Sequence, residues 1–112
     1  MTTIWHNPRC SKSRATLELI KGTGITPTIR LYQDNAPTAD EISKALALLN
    51  IPASALIRTG EAIYKELDLK DADEDTLIKA MAEHPKLIER PVVLANNKAA
   101  LGRPPESVLD IL

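Results

Sequence analysis

TTIWHNPRCSKSR, residues 2–14, is the stretch of this 112-residue chain that decides its fold. The β-branched and aromatic residues at its start predict a short strand, and the residues after Cys10 predict a helix that continues to Lys21 and stops at Gly22. Cys10 therefore lies at a strand-to-helix turn, where the unpaired N–H groups and the dipole of a helix favour negative charge. We expect this setting to hold the thiol as a thiolate, which is its nucleophilic form.

Three cations close to Cys10 in sequence, Arg9, Lys12 and Arg14, add positive charge to the turn. An unperturbed cysteine has a pKa of about 8.5, and a helix terminus with nearby cations lowers that pKa by ~1–2 units. An inert core cysteine would lie on an apolar stripe, whereas Cys10 is flanked by Arg9 and Ser11. Cys10 is also the only cysteine, so a thiol redox cycle needs its second sulfur from another molecule.

The composition is that of one ordinary globular domain spanning residues 1–112, with 44% hydrophobic and 26% charged residues. A net charge of −1 gives no reason to expect nucleic acid or an anionic membrane as a partner. No apolar stretch approaches the ~18 residues of a membrane span, and the N-terminus lacks the apolar region of a signal peptide. We therefore expect a cytoplasmic monomer that binds neither nucleic acid nor membrane.

The other strands are predicted from short β-branched or apolar runs at residues 28–32, 92–95 and 98–101. Asn96 and Asn97 favour a tight hairpin turn between the last two strands. The order of elements is a βαβ unit followed by a ββα unit, with helices inserted at about residues 34–88. We predict an α/β protein with a thioredoxin-like, four-stranded mixed sheet and helices on its faces.

Start and stop signals predict the remaining helices. Thr38 and Glu41 form a capping box, and Asp73 begins an acidic run that favours a helix start. Helices are predicted from residue 38 to about residue 50, at 52–57, at 61–67, from 73 to His84, and from Pro104 to the end of the chain.

Three arginines stand at the ends of predicted elements. Arg90 precedes Pro91 and the buried strand, so this topology places it near the Cys10 turn; the sequence leaves open whether the Arg90-Pro91 bond is cis. Arg103 precedes Pro104 at a predicted helix start, where a cation costs ~0.3–1 kcal/mol, so we expect an anionic ligand or a carboxylate beside it. Arg58 follows the helix predicted at 52–57, where a cation is favourable at a solvated helix end.

Two further polar residues lie close to Cys10 in sequence. His6 either orients the thiol region, or lowers the thiol pKa if it is protonated, or simply ends an edge strand. Ser13 either bonds to the thiolate or caps the helix. The two histidines, His6 and His84, are far apart, so we expect no metal site.

Two other thiol chemistries do not fit the spacing. A phosphatase-like loop needs an arginine six positions after the cysteine, where this chain has Thr16. A dithiol oxidoreductase needs a Cys-x-x-Cys pair, and the fourth position here is Ser13.

The chain resembles the glutaredoxin-dependent arsenate reductase family over its full length. The resemblance rests on residues 6–14, Leu56-Ile57-Arg58, Tyr64-Lys65-Glu66-Leu67, Arg90-Pro91-Val92-Val93, Gly102-Arg103-Pro104 and the ending at 108–112. It implies that Cys10 attacks arsenate, that Arg58, Arg90 and Arg103 hold the oxyanion, and that His6 and Ser13 help to ionise the thiol. The chain departs from well-studied members at Ser11-Lys12, where they often carry Gly-Thr, and at Gly102, where some have a second cysteine.

The resemblance also implies a reaction without a bound cofactor, in which glutathione and glutaredoxin are the reductants and arsenite is the product. Two alternatives stay open at this point. One is a thiol reductase of the same fold that acts on another oxyanion or on a glutathionylated substrate. The other is a non-enzymatic, redox-sensing regulator that binds RNA polymerase, although such regulators usually carry paired cysteines.

Overall fold

The computed structural model describes all 112 residues. The chain divides into two compact units, one formed by Met1–Asn35 with Arg90–Leu112 and the other by Ala36–Glu89. We predicted a helical insertion at about residues 34–88 within a single domain; that the two units act as one domain stays a prediction. No helix is long and apolar enough to cross a membrane.

The first unit contains a four-stranded mixed sheet. Its strands are β1 (Thr2–Trp5), β2 (Thr28–Arg30), β3 (Val92–Ala95) and β4 (Lys98–Leu101), in the order β2-β1-β3-β4. β1 pairs with β2 in parallel, while the β1–β3 and β3–β4 pairs are antiparallel. The prediction of an α/β fold with a mixed four-stranded sheet is confirmed.

A helix and a 3-10 helix pack together in the first unit, and both bury apolar residues. These are α1 (Ser11–Gly22) and the 3-10 helix Pro105–Ile111. Ile4 and Val93 lie opposite each other on β1 and β3, and both are fully buried. They form one hydrophobic core with Ala95 and with helical residues on both elements, namely Leu17, Ile20, Val108 and Ile111. Removing this apolar surface from water is the main force that holds α1, and with it Cys10, in place.

Two predicted elements of the first unit differ in the structure. Strand β2 ends at Arg30 rather than at residue 32, and Ile29 is 44% exposed because β2 is an outer strand of the sheet. The last helix is a 3-10 helix in which Leu109 is 43% exposed. The hairpin turn is as predicted, with Asn96 and Asn97 at φ values of 53° and 61°, which asparagine tolerates better than most residues.

The second unit is helical. Its helices are α2 (Ala39–Leu49), α3 (Ala53–Leu56), α4 (Ala62–Glu66) and α5 (Glu74–Glu83), followed by the 3-10 helix Pro85–Leu87. The predicted capping box is present: the Thr38 side chain accepts from the Glu41 N–H, and the Glu41 carboxylate accepts from the Thr38 N–H. The helix predicted at 52–57 is shorter, because Ile57 is extended and pairs with Ile88 instead.

Candidate active site

Cys10 occupies the N-cap position of α1, with φ of −96° and ψ of 123°. Its N–H donates to the Asn7 carbonyl over 3.0 Å, which closes the turn after β1, and its carbonyl accepts from the Arg14 N–H over 3.0 Å. The residue is partly exposed and its thiol is free. The structure therefore confirms the predicted strand-to-helix turn with the thiol at the start of the helix.

Opposing effects act on the Cys10 thiol, and the net result is a lowered pKa. Burial is the largest single effect and raises the pKa, because it disfavours the charged thiolate. The backbone N–H groups of Ser13 and Lys12, followed by a hydrogen bond and the positive charge from the Arg90 guanidinium, together outweigh it. The expectation that the charges of Arg9, Lys12 and Arg14 act on the thiol is wrong: the cation involved is Arg90, and Lys12 contributes its backbone N–H.

His6 and Ser13 form a buried pair beside Cys10. The Ser13 Oγ lies 2.7 Å from His6 Nδ1 and also accepts from the Asn7 N–H over 3.0 Å. The pKa of His6 is lowered, first by burial and then by the positive charges of Lys21 and Arg14, so the imidazole is neutral near pH 7. A neutral imidazole has no charge to act on the thiol, so the structure favours the alternative in which His6 orients the turn through Ser13. That His6 and Ser13 help to ionise the thiol stays a prediction.

Arg90 and Arg103 meet at one end of the β3–β4 hairpin. Arg103 Nη1 donates to the Arg90 carbonyl over 3.1 Å, and the Gly102 N–H donates to the Pro91 carbonyl over 3.0 Å. The Arg90-Pro91 and Arg103-Pro104 peptide bonds are both cis. Because Arg90 also bonds to the Cys10 thiol, the first unit groups Cys10, His6, Ser13, Arg90 and Arg103.

Thr16 and Gly102 form a close contact that the sequence analysis did not identify. Thr16 is fully buried on α1, and its hydroxyl donates to the Lys12 carbonyl over 2.7 Å. A Cβ on Gly102 would stand 2.7 Å from Pro91 Cγ and 2.9 Å from Thr16 Cγ2, so only glycine fits without displacing its neighbours. A glycine directly before Arg103-Pro104 was a possible signal, but a single sequence does not show what it packs against.

Arg58 lies in the second unit. It does not follow a helix end as predicted, because the preceding residue, Ile57, is extended. The Arg58 N–H donates to the Leu87 carbonyl over 2.7 Å, and its guanidinium lies 3.6 Å from the Glu61 carboxylate. Arg58 Nη1 also donates to the Lys86 carbonyl over 3.3 Å. Its role in binding an oxyanion stays a prediction.

No group of three or more histidine, cysteine, aspartate or glutamate side chains is close enough together to hold a metal ion. The groups that act on the Cys10 thiol are the backbone N–H groups of Ser13 and Lys12 and the Arg90 guanidinium. A partly exposed thiolate beside an arginine is suited to attack an electrophilic centre in an anion, because the cation offsets the repulsion between the two negative charges.

The mixed sheet and the thiol at the start of its first helix define a thioredoxin-like protein with a single, free cysteine. A family model described as "ArsC family" matches residues 5–111. The chain therefore belongs to the ArsC family.

Known relatives span almost the whole chain. An uncharacterized protein of Escherichia coli K12, YfgD, is 49% identical, with 97% of this chain and 94% of that protein covered. A protein of Neisseria meningitidis serogroup A named arsenate reductase is 45% identical, with 97% and 96% covered. The solved structure of an arsenate reductase from Vibrio cholerae has 47% identity and a TM-score of 0.96, with 99% of this chain and 97% of that chain covered.

Proposed function

We propose that this protein is an arsenate reductase in which the Cys10 thiolate attacks arsenate, and glutathione and glutaredoxin complete the reduction to arsenite. The observation that carries the proposal is a partly exposed Cys10 at the N-cap of α1, whose pKa is lowered by the backbone N–H groups of Ser13 and Lys12 and by the Arg90 guanidinium. Membership of the ArsC family and relatives named arsenate reductase support the choice of substrate.

Arsenate carries about two negative charges near neutral pH, as a phosphate monoester does. A thiolate approaches such an anion only where positive charge offsets the repulsion. Guanidinium groups stay charged and match the oxygen pairs of a tetrahedral oxyanion. We assign this role to Arg90 and Arg103 of the first unit and, as the resemblance implies, to Arg58 of the second.

His6 and Ser13 are proposed to act as positioning residues for the thiol. The Ser13 hydroxyl joins His6 to the Asn7 N–H, and the Ser13 backbone N–H is one of the groups that lower the pKa of the thiol. Together these bonds hold the first turn of α1 against the end of β1. The Ser13 N–H is thereby kept in a fixed direction, which stabilises a thiolate without the cost of ordering the donor during reaction.

The proposed reaction balances with two thiols. The Cys10 thiolate forms a bond to arsenic, and one arsenate oxygen leaves as water after protonation. The glutathione thiolate then attacks the Cys10 sulfur, so that an S–S bond forms and the S–As bond breaks with its electron pair left on arsenic. Arsenic(V) becomes arsenic(III), and the two thiols become one mixed disulfide. A glutaredoxin thiolate attacks the glutathione sulfur, and Cys10 leaves as a thiolate.

Glutathione and glutaredoxin are proposed because the chain has one cysteine and cannot form its own disulfide. The second sulfur must then come from another molecule, which the resemblance implies is glutathione, and the mixed disulfide must be opened by a further thiol. A reducing compartment supplies both of these thiols, so we place the protein in the cytoplasm. We propose that it acts there as a monomer.

The test is arsenate-dependent NADPH consumption with glutathione, glutaredoxin and glutathione reductase present. We expect turnover by the wild-type protein and none by Cys10→Ser. Arg58→Ala, Arg90→Ala and Arg103→Ala should each lower kcat/KM for arsenate by about 10- to 100-fold, the usual cost of losing one donor to a reacting anion. Lys98→Gln, an exposed change on β4, serves as the control and should retain wild-type kinetics.

Two results would contradict the proposal. Arsenate reduction with thioredoxin alone would show that glutathione and glutaredoxin are not needed. Wild-type arsenate kinetics in all three arginine variants would show that these residues do not hold the oxyanion.

A further inference from the structure

A cleft adjoins the Cys10 turn in the first unit. Residues 6–9 form one wall, and Leu31, Gln33 and Asp34 form the other, around a volume of about 170 Å³. β1 and β2 are parallel, with Trp5 opposite Arg30, and the His6 N–H donates to the Arg30 carbonyl over 2.8 Å. The segments that follow both strands therefore leave the sheet at the same edge and enclose the cleft. The chain then turns at Leu31, whose carbonyl accepts from the Asp34 N–H.

The cleft carries charges of both signs. Arg9 and Asp34 both line it and are both exposed, and neither side chain forms an ion pair within the protein. The Arg9 backbone is held by its N–H, which donates to Asn7 Oδ1 over 3.0 Å. Leu31, which is 42% exposed, adds apolar surface to the same cleft. A ligand that fits this lining carries an anionic and a cationic group joined by an uncharged stem.

We propose that this cleft binds the glutathione moiety that reacts at Cys10, with the Arg9 guanidinium on a glutathione carboxylate and the Asp34 carboxylate on the glutathione ammonium group. The inference rests on the proposed function, since it names where that reaction takes its second thiol. Glutathione has an ammonium group and a carboxylate at one end, a carboxylate at the other and the thiol between them. Arsenate does not fit this cleft as well, because Asp34 repels a dianion and offers it nothing in return.

The size of the cleft agrees with a partly exposed tripeptide. An extended tripeptide is about 10 Å long, and pockets that enclose whole small-molecule ligands measure roughly 300 Å³ or more. Glutathione would therefore lie with one side in solvent, and each contact would be worth only as much as an exposed ion pair. Cys10 is the residue after Arg9, so a ligand held in the cleft raises the effective concentration of its sulfur at the nucleophile.

The test does not use arsenate. Oxidised glutathione and the uncharged hydroxyethyl disulfide each convert Cys10 to a mixed disulfide, by attack of the Cys10 thiolate on one sulfur and release of the other half as a thiol. Mass spectrometry follows the rate of each reaction. The ratio of the two rates cancels any change in the reactivity of the thiol itself and leaves the preference for glutathione.

We expect the wild-type protein to prefer oxidised glutathione, and Arg9→Gln and Asp34→Asn each to reduce the rate ratio by about two- to five-fold. Lys98→Gln and Asp110→Asn make the same changes in net charge at exposed positions outside the cleft and should leave the ratio unchanged. With a glutathione disulfide whose amino groups are acetylated, Asp34→Asn should have no effect, while Arg9→Gln should keep its effect.

A wild-type ratio near one, or equal ratios in Arg9→Gln, Asp34→Asn and the controls, would overturn the inference. The outcome is separate from that of the proposed function. A lowered rate ratio in the two cleft variants, together with no arsenate turnover by the wild-type protein, would support the glutathione cleft and contradict the proposed arsenate reductase activity. Normal arsenate turnover by the wild-type protein, together with unchanged rate ratios in the cleft variants, would support the reductase activity and contradict the glutathione cleft.

Discussion

Arg103 donates a hydrogen bond from Nη1 to the backbone carbonyl oxygen of Arg90, over a distance of 3.1 Å. The two residues flank the β3–β4 hairpin, in which Val92 lies opposite Leu101. Val92 also lies opposite Trp5, so the start of β3 and the end of β1 share one edge of the sheet. The hairpin therefore brings two arginines that are distant in sequence to the edge from which the Cys10 turn leaves.

The Arg90 guanidinium contributes to the lowered pKa of the Cys10 thiol, so its removal should raise that pKa. We expect Arg90→Gln to raise it, since a nearby opposite charge favours the charged form. Arg90→Lys keeps the charge and should give a smaller rise. The measurement is the rate of iodoacetamide alkylation as a function of pH, with Lys98→Gln as control. Identical pH profiles for Arg90→Gln and the wild type would disprove the assignment.

The contact between Gly102 and Thr16 predicts that a methyl group is not tolerated there. Gly102→Ala places its Cβ against Thr16 and Pro91, and overpacking of this kind costs ~1–3 kcal/mol of unfolding free energy. Thr16→Ala removes the Cγ2 and the hydroxyl that the new Cβ would contact. The double variant should therefore lose less unfolding free energy than the sum of the losses in the two single variants. Urea unfolding measures each free energy.

The matched control for this pair is Gly60→Ala. A Cβ at Gly60 meets nothing within 4 Å, so this variant should unfold at nearly the wild-type urea concentration. If Gly60→Ala and Gly102→Ala destabilise equally, the cost comes from the backbone rather than from the contact with Thr16.

His6 should make the protein less stable in mild acid. Its folded-state pKa lies below the ordinary value of 6.5, mainly because it is buried, so the unfolded chain binds a proton more readily. The contribution of His6 to stability is thus fully present above about pH 6.5 and is lost as the pH falls through 6.5 towards the folded-state pKa. Urea unfolding at about pH 5 and about pH 7.5 should show this loss in the wild type and a smaller loss in His6→Gln.

The control for the acid effect is His84→Gln, which removes the other histidine and leaves the His6–Ser13 bond intact. It should retain the acid-dependent loss of stability. An equal dependence on pH in His6→Gln and the wild type would show that His6 is not the group that titrates.

The capping box at the start of α2 predicts a loss of stability in Thr38→Ala. The Thr38 hydroxyl accepts from the Glu41 N–H over 3.1 Å, and losing such a cap costs about 1 kcal/mol. Thermal unfolding followed by circular dichroism measures the change. Thr59→Ala replaces another exposed threonine, which caps no helix, and should leave the midpoint unchanged. If Thr38→Ala and Thr59→Ala unfold at the same midpoint temperature, the Thr38 cap does not stabilise the protein.

Local signals in the chain predicted most of the elements. β1 and β3 have the predicted bounds, the capping box begins α2, and Asn96 and Asn97 form the hairpin turn. Such signals succeed because they act through backbone preferences and bonds between near neighbours in sequence. They did not predict where β2 ends or that the last helix is a 3-10 helix, because the propensity of the residues does not determine which side chains become buried.

The sequence by itself determined that a single thiol stands at the start of the first helix, because strand propensity before Cys10 and helix propensity after it are local properties. Only the tertiary structure decided that Arg90, rather than the cations next to Cys10 in sequence, bonds to the sulfur, that the Ser13 hydroxyl bonds to His6, and that Gly102 packs against Thr16. Strand register and side-chain packing set these contacts, and both depend on residues far apart in the chain.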